Sequence, residues 1–156
     1  MNLEEEEAEA TILGERVVQF SVFVQNRVGA LLSIVRLLKE ASVEVLGLSV
    51  HDSVDVTIAR IVVSDPDTVG TLFIEKGIPY GTVELTVVEL PEASASLGSC
   101  LAALLQAELN VNFAYPLLTR PEGKALLALS VDDPEVAGSI LLKCGFRLVN
   151  QQDLSR

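Results

Sequence analysis

SDPDTVGTLFIEKGIPY occupies residues 64–80, and DDPEVAGSILLKCGFRL occupies residues 132–148. Both stretches read Asp-Pro, then Gly four residues past the Pro, then a second Gly seven residues further on. Each reads as a helix with both ends marked. Asp caps the first free amides, and Pro suits the first helical position because its φ is preset and its missing N–H is not needed there. The later Gly supplies a left-handed stop. Between these marks Val69, Leu72 and Phe73 in one stretch, and Val136, Ile140 and Leu141 in the other, follow helical spacing. A recurrence of this kind predicts an internal duplication.

The flanking sequence repeats with it. VVQFSVFV (17–24) alternates, placing Val18, Phe20, Val22 and Val24 on one face and Gln19 and Ser21 on the other, which predicts a strand with one buried side. GALLSIVRLLKEA (29–41) puts Leu31, Ile34, Val35, Leu38 and Ala41 on one helical face. Two β-rich runs, 43–51 and 56–63, then flank turn residues 52–55. In the second copy Leu97–Glu108 is helical, 110–118 and 125–131 are strands, and a last strand spans Phe146–Asn150. The first helices match at an offset of 66 (Leu31 to Leu97) and the second helices at 68. The two extra residues fit the hairpin TRPEGK (119–124), which replaces the shorter turn at 52–55. The run PYGTVELTVVEL (79–90) is too long for one ordinary strand. It is expected to end copy one and begin copy two, with Gly81 bending or bulging it.

Each copy is then β-α-β-β-α-β. The fold class is α+β, two tandem ferredoxin-like βαββαβ domains with antiparallel sheets. Residues 1–15 form an acidic flexible tail, 16–82 the first domain and 83–156 the second. A unit of about 70 residues is marginal alone, so the two are expected to share an interface.

The composition excludes several function classes. The chain carries 22 acidic and 11 basic residues, a net charge of −11. EEEEAE (4–9) supplies part of this, and the remainder is still acidic. No basic stripe is present, so nucleic acid is not an expected partner, and an anionic membrane surface is disfavoured by the same repulsion. No signal-peptide layout and no apolar run of membrane-spanning length is present, and the expected location is cytoplasmic. Cys100 and Cys144 lack metal-ligand spacing and fall in expected helices, which reads as buried free thiols.

The loop after the first strand, QNRVGALL (25–32), together with the duplicated order of elements, resembles the ACT-domain family and in particular the compact tandem ACT proteins of bacteria. Asn26, Arg27, Gly29 and Leu31 match the Asp/Asn-Arg-Pro-Gly-x-Leu pattern of that family, and Val28 stands where Pro is common. Glu89-Leu90-Pro91-Glu92 resembles the opening of the second domain in such proteins. The resemblance covers residues 16–150. It implies a regulatory small-molecule binding module, with an amino acid as effector, bound between one domain's loop and the second strand of its neighbour. If the domains pair side by side, Asn26, Arg27, Val28, Gly29, Ala30 and Leu31 face Asn112, Phe113, Ala114 and Tyr115.

The residues themselves suit that ligand. Gly29 permits close backbone approach, the free amides opening helix 29–41 welcome a carboxylate, and Asn26 offers an oxygen to an ammonium group. The alternatives are that Asn26 only caps the helix, Gly29 only shapes the turn, and Phe113 and Tyr115 only pack an interface. At offset 66 the second copy has Glu92, Ala93, Ser94 and Ala95 in place of Asn26, Arg27, Val28 and Gly29, so its loop reads as degenerate.

Traces of catalysis are lacking. His51 is the single histidine and stands beside Asp52 without a nucleophile elbow; zinc-ligand clusters and phosphate-binding glycine loops are also missing. The chain is expected to be non-enzymatic and without cofactor, binding a free amino acid as a homodimer and acting on a separate metabolic enzyme. The alternative is a ligand-free assembly module that partners a separate enzyme or regulator.

Overall fold

A computed structural model describes residues 15–25, 28–53 and 56–155. The elements run in the order β1 (Val17–Val24), α1 (Val28–Glu40), β2 (Val45–Asp52), β3 (Thr57–Val63), α2 (Pro66–Glu75), β4 (Tyr80–Leu90), α3 (Ser94–Gln106), β5 (Val111–Pro116), β6 (Ala125–Val131), α4 (Pro134–Lys143), β7 (Leu148–Val149) and α5 (Gln151–Leu154). This is βαββαβ twice over, with β4 serving both copies. The acidic tail falls almost entirely outside the described residues.

The two marked helices form as their sequence dictates. Asp65 accepts from the Thr68 amide and Asp133 from the Val136 amide, both at 3.2 Å. Gly77 and Gly145 turn left-handed, at φ 65° and 86°, and the next residues close the same backbone bond, Ile78 to Phe73 at 2.9 Å and Phe146 to Leu141 at 3.0 Å. The first helices of each copy stop on Ser42 and Glu108, 66 residues apart and both left-handed without being glycine, at φ 60° and 58°.

Pairing repeats as closely. All strand pairs are antiparallel, in the order β2-β3-β1-β4-β6-β5, with β7 on β4. The β2/β3 ladder shifts register between Val45 and Gly47, and the β5/β6 ladder shifts between Val111 and Phe113, again 66 residues on. The first part of β4, Tyr80–Leu85, pairs with β1, and the rest, Thr86–Leu90, with β6. Gly81 pairs with Ser21 in unbroken register, so neither bulge nor slip occurs where one was expected.

Each copy covers one face of its strands with helices. Phe20, Val22, Ile34, Leu38, Ile61, Val69 and Phe73 form the first of these cores, and Val88, Cys100, Leu104, Leu129, Ala137 and Leu141 the second. A third core lies on the opposite, inner face and joins the copies. Val17, Leu46, Val62 and Leu85 of the first half pack there with Val87, Tyr115, Leu117, Leu126 and Ala128 of the second. The halves are therefore packed inner face to inner face as well as joined through β4. Gly47 lets the seam close: a Cβ there would lie 2.5 Å from Leu117 Cδ2, so any larger residue would make the buried Leu117 side chain shift. Where the sheet's ends meet, the Leu118 amide donates to the Leu46 carbonyl at 2.7 Å.

Candidate functional site

Of the expected loop residues, Asn26 and Arg27 lie outside the described residues. Val28 opens α1 and is 86% exposed. Gly29 is exposed, a Cβ there would meet nothing within 4 Å, and its carbonyl accepts from Ser33 Oγ at 2.9 Å. Ala30 and Leu31 are half-buried. The first amides of a helix have no acceptor within it, and Val28 and Gly29 carry this end at an open surface.

The matching end in the second half is built differently. Ser96, itself buried, accepts from the Glu92 amide at 2.9 Å, and Ala93 is forced to φ 49°. The loop's amide is thus taken by the chain's own hydroxyl. The equivalent of Ser96 in the first half is Ala30, which has no hydroxyl to offer.

Strand β5 presents alternate faces. Asn112 and Ala114 are exposed, whereas Phe113 and Tyr115 turn into the seam. Tyr115 donates its hydroxyl to Gln19 Oε1 at 2.7 Å, Gln19 Nε2 donates to Ser21 Oγ at 2.9 Å, and the Arg60 guanidinium lies 3.9 Å from the centre of the Phe113 ring. Burial pushes the Tyr115 phenol well above its ordinary range, and the Arg60 charge opposes this only in part. Because Ser21 pairs with Arg60, contact passes from Gln19 to the Ser21 row as β5 is followed from Tyr115 back to Phe113. The start of β5 is therefore directed toward the end of β1 that carries the loop.

Sequence reasoning missed Gln19, Ser21 and Arg60. They sit at the polar positions of otherwise apolar strands, a pattern that ordinarily marks the solvent side.

Other candidates are simpler. His51 is exposed near the end of β2. Cys100 is buried, its thiol pushed up chiefly by that burial, whereas Cys144 is exposed just past α4 and not buried in a helix as expected. A pocket of about 30 Å³ beside Thr86, Pro134 and Asn150 is water-sized. Among the described residues no group of three or more His, Cys, Asp and Glu side chains could hold a metal, and no helix is long and apolar enough to cross a membrane.

Comparison with known proteins agrees with this architecture. The sequence profile of the ACT domain pair matches residues 15–156. No curated protein matches the chain. Among solved structures, protein BT0572 from Bacteroides thetaiotaomicron superposes with a TM-score of 0.81 at 18% identity, covering 90% of this chain and 96% of that one. The ligand-free regulatory subunit of aspartate kinase from Thermus thermophilus gives 0.60 at 10% identity, over 83% and 93%. The aspartokinase alpha and beta subunits give 0.56 at 17%, over 85% and 94%. At these identities the likeness is one of fold.

Proposed function

This chain belongs to the ACT domain pair family, and on that premise we propose that it is a non-catalytic regulatory module that binds a free α-amino acid. The observation that carries this reading is the contrast between the two helix starts. In the second half Ser96 occupies the loop amide, while in the first half Gly29 leaves open space. The ligand carboxylate takes the amides opening α1 around Val28, Gly29, Ala30 and Leu31, and Asn26 accepts from the ammonium group, with Arg27 beside it. From strand β5, Phe113 on the seam side contacts the ligand's side chain, whereas Asn112 and Ala114 lie on the opposite, exposed face and Tyr115 is held by Gln19. A ligand held across loop and strand stabilises one relative arrangement of the two, and a separate metabolic enzyme reads the shift. A homodimer is the expected assembly.

Titration calorimetry against the twenty amino acids tests this. The expected outcome is binding of one or a few at up to millimolar concentration, weakened at least about tenfold in Asn26→Ala, the loss of roughly one charge-assisted hydrogen bond. Binding of none, with light scattering that rises with protein concentration, replaces the reading with the ligand-free assembly module.

A further inference from the structure

The duplication provides an internal control for every position of the inner sheet face. Ser21, Arg60 and Ser49 form one row across β1, β3 and β2, each paired directly with the next. The offsets of 66, 68 and 66 carry this row onto Val87, Ala128 and Tyr115, which are likewise paired across β4, β6 and β5. The second half fills the row with apolar and aromatic groups and buries all three. The fold therefore does not require a polar row here, yet the first half places a guanidinium between two hydroxyls.

The same comparison shows that the row is reachable. Its neighbour on the first half is Phe23, Ile58 and His51, of which Phe23 is 54% exposed and His51 is exposed. The matching second-half row, Glu89, Leu126 and Leu117, is buried throughout. The second half thus stops short of the first half's inner face and leaves the Ser21–Arg60–Ser49 row half-buried at the mouth of the seam.

Arg60 itself is set up to receive an anion. The Phe113 ring lies under the guanidinium, 3.9 Å from Cζ to the ring centre, a cation–π contact that occupies one side of it. Among the described residues Arg60 makes no ion pair, although acidic groups outnumber basic ones two to one, and the buried carboxylate of Glu89 takes both Lys124 and Arg147. A planar fork of donors, flanked by hydroxyls and held on an aromatic plate, matches a carboxylate.

We propose that the row Ser21–Arg60–Ser49, backed by Phe113, is a binding site for a small carboxylate at the open end of the seam. It shares Phe113 with the amino-acid site proposed above but not loop 26–31, so Asn26→Ala and Arg60→Gln distinguish the failure of one reading from that of the other. Calorimetry of the full chain with succinate, and separately with inorganic phosphate, tests it. Succinate binds in the millimolar range or tighter, Arg60→Gln weakens it at least about tenfold, Arg60→Lys only partly rescues it for want of the fork, and Asn26→Ala leaves it unchanged. Phosphate binds more weakly than succinate. Equal succinate affinity in Arg60→Gln, preference for phosphate, or no binding to the unaltered chain overturns the assignment. Should Arg60→Gln fail to fold by circular dichroism, amide shifts in the unaltered chain decide: succinate moves the Ser21, Ser49 and Arg60 resonances if the site is real, and leaves them in place if it is not.

Discussion

Tyr115 and Gln19 are joined by a 2.7 Å hydrogen bond deep in the seam, with both side chains buried. Burial raises the phenol's pKa well above its ordinary value of 10.0, because the ionised form would have to leave water. The consequence for stability has a definite sign. Above pH 10 the unfolded phenol releases its proton and the folded one keeps it. The unfolded state then holds fewer protons, so rising pH favours unfolding. Urea titrations from pH 8 to 11 should show stability falling above pH 10, with Tyr115 contributing up to about 1.4 kcal/mol per pH unit. In Tyr115→Phe that share of the slope disappears. The same variant loses about 1 to 3 kcal/mol at neutral pH, since Gln19 Oε1 is left without its donor. An unchanged alkaline slope in the variant contradicts this account. The candidate site was only partly legible for a related reason. A Gln or Ser alternating with apolar residues signals a strand face turned to water, and nothing local reveals that a second half will cover it. The loop glycine and the start of α1 were readable, because they depend on neighbours in sequence.

At the scale of elements, legibility followed the range of the interactions. Asp-Pro starts and Gly stops act over one turn, so α2 and α4 were bounded closely by sequence. The long run at 79–90 was readable as one strand in two roles because its length exceeded what one sheet edge needs. The C-terminal helix α5 was overlooked, although its start carries a legible signal. Asn150 accepts from the Asp153 amide at 2.9 Å while Asp153 accepts from the Asn150 amide at 3.1 Å, a reciprocal cap. This short element does more than end the chain's fold. Gln151 accepts from the Val18 amide at 3.1 Å and donates to the Val63 carbonyl at 3.1 Å, tying the end of the second half to β1 and β3 of the first. Gln151→Ala leaves both backbone groups without their partner and should cost about 2 to 4 kcal/mol in chemical denaturation. Gln151→Glu should do no better, because its second oxygen would face the Val63 carbonyl. A loss under about 0.5 kcal/mol in both variants, the range of an ordinary surface change, would show that water replaces the bridge.

For the whole molecule, the inner core decides how many units unfold. Val17, Leu46, Val62 and Leu85 pack in one core with Val87, Tyr115, Leu117, Leu126, Ala128, Val149 and Leu154 of the second half. Removing either half would expose a row of large apolar side chains, each worth about 1.5 to 3 kcal/mol of burial, in a remaining unit too small to absorb the loss. Strand β4 runs through both halves, so its pairing with β1 and with β6 cannot be lost independently without fraying one continuous ladder. The duplicated sequence suggests two domains, and the shared seam and strand predict that they unfold as one cooperative unit. The chain offers a convenient reporter, since it has no Trp and two Tyr, one in each half: Tyr80 packs against Phe20 and Phe73, and Tyr115 sits in the seam. Tyr115→Phe leaves fluorescence from Tyr80 alone, and Tyr80→Phe leaves Tyr115 alone. Within each variant, the tyrosine signal and far-ultraviolet circular dichroism, which averages both halves, should trace a single urea midpoint. Distinct midpoints for fluorescence and dichroism would mean that the halves melt separately. The inner core would then be an interface between two domains and not the centre of one.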